Sequence, residues 1–283
     1  MVRQFPVRYF CQRNQGPAKA RNFGVENAKG DIVIFTDSDC VAERDWIELM
    51  TEPLRNGQIS GVKGAYRTAQ RSLAARFAQV EFEERYELLK KHEHIDFVDS
   101  YSAAFRKQVF LKAGGFDTSF PKANNEDTEF SYKLTAMGCK MVFAPDAIVY
   151  HRHPDTVWKY FRLKFGRGYW RMVVYRRYPE KMVKDSYTPQ SLKLQMLLAF
   201  VLCCSLGLFV VFPALAVPAS LLSLGAFLGG SLSFWRFAFK RDFVVGMAAP
   251  VFLFLRALAL GSGVAWALLT RRKAKDERGK GTA

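Results

Sequence analysis

A buried strand with an acidic end is encoded by Gly30-Asp31-Ile32-Val33-Ile34-Phe35-Thr36-Asp37-Ser38-Asp39-Cys40. Its apolar centre, Ile32 to Phe35, is too short and too closely flanked by turn residues for a helix. Because side chains at positions i and i+2 of a strand project from the same face, Asp37 and Asp39 can converge on one point. Two such carboxylates repel each other unless a cation lies between them, which fits a hard divalent metal that holds a phosphorylated ligand. A solvated aspartate pair in an Asx turn fits the same residues, so this stretch alone leaves both interpretations open.

The composition of the chain changes along its length. The 283 residues carry a formal net charge of +16, and the basic residues concentrate on either side of an apolar block, Leu192 to Thr270. This pattern favours attraction to an anionic membrane face. Nucleic-acid binding is the competing interpretation of a basic, aromatic chain, but no nucleic-acid-binding module is visible. We therefore expect a membrane partner and no nucleic acid.

The cysteines and the amino end bear on the compartment. The five cysteines have neither metal-ligand spacing nor an even framework, which indicates free thiols in a reducing compartment. No signal peptide precedes residue 1. We expect the inner (plasma) membrane as the location, with the soluble part on the cytoplasmic side.

Short apolar runs alternate with helical patterns as far as residue 150. Strands are predicted over residues 32–35, 59–66, 97–105, 140–143 and 147–150, and helices over 17–28, 43–54, 72–92, 108–113 and 126–137. This alternation predicts an α/β fold with a mostly parallel sheet.

The segment 156–185 is basic and aromatic. Between Val157 and Tyr178, aromatic residues recur at spacings of three and four, and lysines and arginines occupy the remaining positions. Such a helix next to an apolar block is typical of an amphipathic helix that lies in the membrane interface. A helix packed on the soluble domain with a charged outer face is the alternative.

The apolar block 192–270 divides at Pro213 and Pro218. Residues 194–212 and 217–235 are each about long enough to span a bilayer, so residues 194–235 are predicted to form a hairpin of two spans. The last segment, 243–270, has Arg256 near its middle, and a central arginine costs about 2.5–3.5 kcal/mol on insertion scales. A re-entrant or interfacial segment is the alternative to a third span, because a third span would place the basic residues of the tail 271–283 on the outer face.

Three further motifs accompany the acidic strand end. They are Ala18-x-Ala20-Arg21-Asn22-x-Gly24 before it, and Gly114-Gly115-Phe116-Asp117-x-x-Phe120 and Asn125-Glu126-Asp127-Thr128-Glu129-Phe130-Ser131-Tyr132-Lys133-Leu134 after it, followed by Gly138, Pro145 and His151. In this order and spacing they resemble the family 2 glycosyltransferases, inverting enzymes with the Rossmann-like GT-A fold. The resemblance runs from about Val7 to about Tyr178. It implies a GT-A domain over residues 1–155, followed by the interfacial, membrane and tail segments.

The resemblance also implies a reaction and the groups that perform it. It implies that a sugar passes from a nucleotide-sugar donor to a membrane-linked polysaccharide or glycolipid, with Mn²⁺ or Mg²⁺ to neutralise the departing diphosphate. Asp39 and Asp37 are then metal ligands and donor contacts, and His151 is a third metal ligand, with His153 as a weaker candidate. Arg21 and Asn22 take the place of the family's donor-side contacts.

Other positions acquire acceptor-side roles from the same resemblance. Asp127, in the pair Glu126-Asp127, becomes the catalytic base that takes the proton of the acceptor hydroxyl, at a helix start where the dipole favours the ionised form. Gly115 and Asp117 shape the loop that faces the sugar and the acceptor. Trp170 lies where processive relatives carry a Q-x-x-R-W motif, and this chain lacks that pattern.

One departure from the family concerns the amino end. Members normally begin with an apolar strand and a V-D-D-x-S-type strand end that hold the nucleotide, whereas this chain starts about where the third or fourth strand is expected. We therefore expect a sheet that is incomplete at its amino end, with an exposed edge and weak nucleotide binding. A catalytically silent, truncated membrane protein derived from a glycosyltransferase is the alternative function. A nucleotidyl- or phosphosugar transferase would need a Gly-rich, Lys-bearing phosphate loop, which is not visible.

Overall fold

The chain divides into two units. Its structure is a computed structural model that describes residues 4–120 and 124–270, so the predicted basic tail 271–283 lies outside the described residues. The first unit comprises Met1–Ala65 and Glu93–Val149, and the second comprises Tyr66–His92 and Tyr150–Ala283.

Five strands and ten α-helices are described within these residues. The strands are β1 (Ile32–Thr36), β2 (Val41–Ala42), β3 (Ile59–Arg67), β4 (Ser102–Arg106) and β5 (Lys140–Tyr150). The helices are α1 (Pro17–Asn27), α2 (Trp46–Thr51), α3 (Leu73–Leu89), α4 (Lys107–Lys112), α5 (Glu126–Ala136), α6 (Val157–Tyr175), α7 (Pro179–Val183), α8 (Gln190–Gly207), α9 (Pro213–Arg241) and α10 (Phe243–Leu269).

Element types predicted over residues 17–150 are largely confirmed. The predicted helix 43–54 is a shorter helix followed by a 3₁₀ turn, Glu52–Arg55. Only the last part of the predicted extended segment 97–105 is a strand, and the two short strands predicted over 140–150 are one strand that runs through Pro145.

The strands form one sheet in the order β1-β4-β3-β5-β2. Both β1 and β3 pair antiparallel with β4, with Ile34 opposite Ala104 and Lys63 opposite Ala103. The sheet is therefore mixed, and the prediction of a mostly parallel sheet is wrong for these pairs. Alternation of strands and helices implies parallel neighbours only when the intervening helix crosses back over the sheet. The helix between β3 and β4 is α3, which belongs to the second unit. Because β3 and β4 are antiparallel, β4 begins near the end where β3 finishes.

Aromatic side chains form the core of the first unit. The rings of Phe110 and Phe130 lie 4.8 Å apart, and Phe116 lies 5.0 Å from Phe130. Phe35, two residues before Asp37, lies 5.5 Å from both Phe110 and Phe116. Each such pair contributes about 0.5–1.5 kcal/mol beyond its buried area. This core therefore holds together β1, α5 and the loop Gly114-Gly115-Phe116, which we call the glycine loop.

The second unit packs α3 among the later helices. Phe77 of α3 lies 5.8 Å from Tyr160 of α6, 5.5 Å from Phe234 of α9 and 4.7 Å from Phe252 of α10. Alanines close the spaces between these rings. The amphipathic helix predicted over 72–92 thus buries its apolar face in this unit.

Among residues 4–120 and 124–270, three helices are long and apolar enough to cross a membrane, judged by length and composition. They cover Gln190–Val210, Pro213–Arg241 and Phe243–Leu269. The first two correspond to the predicted spans, although α9 continues through Pro218 without a break. The third is one continuous helix of 27 residues despite Pro250 and Arg256, so its residues do not adopt the broken path of a re-entrant segment.

Arg256 is paired inside the second unit. Its side chain is 2% exposed, and its Nη1 donates to Glu81 Oε1 of α3 at 3.0 Å. Its Nη2 donates to Gln195 Oε1 of α8 at 2.7 Å. The guanidinium also lies 5.3 Å from the centre of the Phe234 ring. The free-energy cost of inserting a central arginine into a membrane is therefore offset by contacts with a carboxylate and an amide oxygen.

Glu81 is the centre of this buried polar cluster. Its Oε2 accepts from Lys164 Nζ at 2.8 Å and from the Tyr160 hydroxyl at 2.9 Å. Burial alone would raise the pKa of Glu81, but the charges of Lys164, Arg256 and Arg85 hold it well below its usual range. Glu81 thus stays ionised and accepts hydrogen bonds from side chains on both α6 and α10.

Helix α6 packs closely against α10 through glycines. A Cβ on Gly168 would lie 2.3 Å from the Leu260 carbonyl oxygen, and a Cβ on Gly263 would lie 2.1 Å from the Phe165 carbonyl oxygen. Both obstacles are backbone atoms, so neither helix can yield by moving a side chain. The predicted position of α6 in a membrane interface stays a prediction.

Gly263→Ala is expected to lower stability by about 1–3 kcal/mol, because the added methyl group forces α6 and α10 apart. Gly261→Ala is the matched control, since none of the described atoms lies within 4 Å of a Cβ there. Alanine also favours a helix over glycine by about 1 kcal/mol. Thermal unfolding of both variants in detergent measures the difference, and equal melting temperatures would contradict the close packing.

Candidate active site

Arg21 joins the end of β1 to the start of α5. From α1, its Nη2 donates to Asp37 Oδ1 at 2.8 Å, and its Nη1 donates to Glu126 Oε1 at 2.7 Å. Its side chain is largely buried, so these charge-assisted bonds are shielded from water. Residues from three of the four sequence motifs therefore meet at one guanidinium.

Asn22 holds the glycine loop. Its Nδ2 donates to the Phe116 carbonyl at 2.8 Å, and the Phe116 N–H donates to Asn22 Oδ1 at 2.9 Å. Gly115 has φ +67°, and a Cβ there would lie 2.7 Å from Asn22 Oδ1. Only glycine fits this position. Beyond it, Asp117 Oδ1 accepts from the Ser119 N–H at 2.8 Å and closes a short turn.

Glu126 and Asp127, at the start of α5, have different surroundings. Glu126 is buried, and its Oε2 accepts from the Asn124 N–H at 2.7 Å. Asp127 is half-buried, and its Oδ1 accepts from the Thr128 N–H at 2.7 Å. Burial and the charge of Asp127 raise the pKa of Glu126 to about 7, against the opposing effect of Arg21. Of the two carboxylates, Asp127 has the greater access to solvent.

Stability is expected to depend on pH through Glu126. Its pKa is raised to about 7 in the folded chain from 4.5 when unfolded. Its contribution is therefore fully present below pH 4.5 and is lost as the pH rises through 7, with a slope of about 1.4 kcal/mol per pH between these two values. Chemical unfolding at a series of pH values measures this decline. Glu126→Gln should flatten it, and an unchanged pH dependence in that variant would disprove the assignment.

The acidic strand end offers oxygen ligands. Asp37 is half-buried and Asp39 is exposed, and the Cys40 N–H donates to the Asp37 carbonyl at 3.0 Å to form the turn. Carboxylates of this kind suit Mg²⁺ or Mn²⁺. Burial, with the charges of Asp37 and Asp39, raises the pKa of the Cys40 thiol to about 11, so this thiol stays protonated at neutral pH. The two carboxylates of this turn fit a hard divalent metal.

His151, His153 and Trp170 belong to the second unit. The His151 ring stacks on Tyr66 with centroids 4.6 Å apart. His153 is buried, lies 3.0 Å from Gln79 Oε1 and stacks on Phe82. Burial and the neighbouring His151 lower the pKa of His153 to about 3, so it is a neutral core residue. Trp170 contacts Tyr169 edge to face at 5.2 Å. The roles predicted for His151 and Trp170 stay predictions.

Sequence reasoning missed the neighbours of Asp127. The Ser100 N–H donates to Asp127 Oδ2 at 3.4 Å, and Asp99 next to it pairs with Lys63. The available signal was a lysine within the apolar strand Ile59–Tyr66, where a buried cation requires a partner.

Comparisons with known proteins bear on the family and the fold of the chain. The family model described as Glycosyl transferase family 2 matches residues 1–114. Over these residues the chain matches glycosyltransferase family 2. Its curated relatives include the glucosyl-dolichyl phosphate glucuronosyltransferase of Haloferax volcanii, 28% identical over 187 residues that cover 59% of this chain and 58% of that protein. They also include the probable glycosyltransferase YdaM of Bacillus subtilis, 29% identical over 167 residues (54% and 38%). The poly-beta-1,6-N-acetyl-D-glucosamine synthase of Staphylococcus aureus is 24% identical over 166 residues (56% and 39%).

A solved structure extends the family likeness to the fold. A mannosyltransferase of Pyrobaculum calidifontis, in complex with GDP-Man and Mn²⁺, superposes with a TM-score of 0.52 at 18% identity, over 91% of this chain and 68% of that one. The predicted GT-A-like α/β fold followed by long apolar helices is thereby confirmed. The chain spans between 37% and 58% of the length of the first curated relatives that it matches.

Proposed function

We propose that the chain transfers a sugar from a nucleotide-sugar donor to a lipid-linked or polysaccharide acceptor at a membrane, with inversion at the anomeric carbon. The observation that supports this proposal best is the bridge from Arg21 to Asp37 and Glu126. It brings the donor-side strand end and the acceptor-side helix of the family 2 domain into one cluster. Inverting transfer needs such a juxtaposition, because the base must act on the face of the sugar opposite to the departing diphosphate.

In the proposed reaction the acceptor hydroxyl attacks the anomeric carbon and gives its proton to Asp127. Asp127 suits this role because it is half-buried, and two backbone N–H groups orient its carboxylate. Glu126 is less suited, since Arg21 and the Asn124 N–H occupy its oxygens. Arg21 keeps Asp37 in place and balances part of the acidic charge.

Asp39 and Asp37 would hold a divalent metal. When bound, the metal supplies positive charge to the departing diphosphate. The relatives named for lipid-linked and polymeric products and the three long apolar helices support an acceptor at the membrane. We further propose the inner (plasma) membrane, with the family 2 domain on the cytoplasmic side.

The test is a panel of nucleotide-sugars offered to the purified chain in detergent with Mn²⁺, with release of nucleoside diphosphate as the readout. Polyprenyl-phosphate-linked sugars and oligosaccharides serve as acceptors. One donor turned over faster with an acceptor than without it would support the proposal. Absence of turnover over the whole panel, in a chain shown to be folded, would refute it.

Asp39→Ala is expected to lower the donor kcat/KM by about 10²-fold or more, because a metal contributes several kcal/mol to the departing charge. EDTA should produce a similar loss in the unmodified chain. Asp31→Ala, at the exposed opposite end of the same strand, is the matched control. Equal activity of Asp39→Ala and Asp31→Ala would contradict the proposal that this turn binds a metal.

A further inference from the structure

A buried ion pair lies in the first unit, beside the loop that contacts Asp127. Lys63 of β3 is completely buried, and its Nζ forms a short ion pair with Asp99. The same Nζ donates to the Tyr101 hydroxyl at 2.9 Å and lies 5.5 Å from the centre of the Phe97 ring. All three partners lie in residues 97–101, which we call the Asp99 loop. A single cation on the sheet thus holds this whole loop.

The Asp99 loop contacts α5 at two points. The Ser100 N–H donates to Asp127 Oδ2 at 3.4 Å. The Val98 N–H donates to Ser131 Oγ at 2.9 Å, and Ser131 Oγ lies 2.7 Å from the Asp127 carbonyl oxygen. The backbone of the loop therefore contacts the side chain of Asp127 directly and its main chain through the Ser131 hydroxyl.

A buried ion pair is poorly explained by stability alone. Removing two charges from water costs several kcal/mol, and apolar residues of similar size often stabilise a core as well or better. A pair of opposite charges does, however, select one geometry, because any displacement leaves both charges uncompensated. Here the geometry that is selected is the distance between β3 and the Asp99 loop.

We propose that Lys63 and Asp99 are positioning residues for the reaction, which hold the Ser100 N–H against Asp127 and thereby orient its carboxylate toward the acceptor hydroxyl. This inference rests on the proposed role of Asp127 as the base. Neither residue touches substrate in the proposal, and both act through the backbone of the Asp99 loop.

The sequence allows a test that does not need catalysis. Asp-Ser occurs three times, at Asp37-Ser38, Asp99-Ser100 and Asp185-Ser186. Labelling aspartate with ¹³C at the carbonyl and serine with ¹⁵N therefore reduces the amide spectrum to three signals, even in a detergent-solubilised chain. The Ser100 signal should shift with pH as Asp127 ionises. The part of the Ser100 shift that is lost in Asp127→Asn depends on Asp127, and the part that remains comes from other groups such as the neighbouring Glu126.

Lys63→Met, which removes the charge but keeps the size, is expected to abolish the Asp127-dependent shift of Ser100. Lys140→Met on β5, where the lysine is exposed, is the control and should leave it intact. An unchanged Ser100 titration in folded Lys63→Met would overturn the proposal.

If Lys63→Met does not fold, Asp99→Asn replaces it. That variant contains one Asn-Ser pair, because the chain has none of its own, so labelled asparagine then gives a single signal. A Ser100 shift of full amplitude in Asp99→Asn would likewise overturn the proposal.

Kinetics separate a positioning role from a structural one. With a donor from the panel above, folded Lys63→Met should lose about 10-fold or more in kcat with little change in the donor KM, since a misoriented base affects the chemical step. A rise in KM with kcat unchanged would count against positioning. If Asp127→Asn retains activity while the Ser100 titration behaves as expected, the role of Asp127 fails and the structural link between Lys63 and the loop stands.

Discussion

Asp127→Asn is expected to lower the rate of sugar transfer by about 10²–10⁴-fold, the usual contribution of a positioned general base. Asparagine keeps the size of the side chain, and its single amide oxygen can still accept from one of the two backbone N–H groups, that of Thr128. The fold should therefore survive, and the loss should appear in kcat. Steady-state kinetics with the preferred donor, beside circular dichroism of the same sample, measures both quantities.

The matched control for this substitution is Asp146→Asn, at an exposed position on β5. It should keep the activity of the unmodified chain. Full activity of Asp127→Asn would overturn the assignment of the base. Glu126 would then be the next carboxylate to test, with Arg21 removed to expose it.

Glu81→Gln is expected to destabilise the second unit by about 3–5 kcal/mol, because it removes the carboxylate that two buried basic side chains contact directly. Lys164 and Arg256 both reach Glu81 within 3.0 Å, and all three side chains are almost fully buried. Thermal or denaturant unfolding in detergent measures the loss. This is the largest effect on stability that we expect from a single substitution.

Glu87→Gln on the same helix α3 serves as the control. Glu87 is 42% exposed and pairs with Lys90 at 3.1 Å and with the exposed Arg241 at 3.3 Å. An exposed pair of this kind contributes about 0–1 kcal/mol. Equal stabilities of the Glu81 and Glu87 variants would mean that the buried cluster does not hold the helices together.

The elements that carry the chemistry could be predicted from sequence because their signals are local. β1 and its acidic end follow from a run of β-branched residues before two aspartates, and α5 follows from its acidic first turn and the glycine after it. The order of the motifs predicted that these pieces belong to one family 2 domain. No local signal predicts that Arg21 contacts Asp37 and Glu126, since the two carboxylates lie 16 and 105 residues away from it.

The directions of the strands and the grouping of the helices could not be predicted for a similar reason. The sequence between β3 and β4 contains a helix, as a parallel crossover would, but α3 packs in the second unit and β4 runs antiparallel. The insertion cost of Arg256 counted against a third membrane span over 243–270 as long as its partner was unknown. That partner, Glu81, lies 175 residues earlier in the chain, beyond the reach of any periodicity.

The membership of α3 in the second unit has a consequence for the order in which the protein is made. Phe77 and Glu81 leave the ribosome early, whereas their partners on α6, α9 and α10 are synthesised some 80 to 175 residues later. Until then, α3 exposes an apolar face and an unpaired carboxylate. The packing of α3 therefore depends on the later part of the chain with its long apolar helices, and a fragment cut near residue 155 would carry a helix without its packing partners.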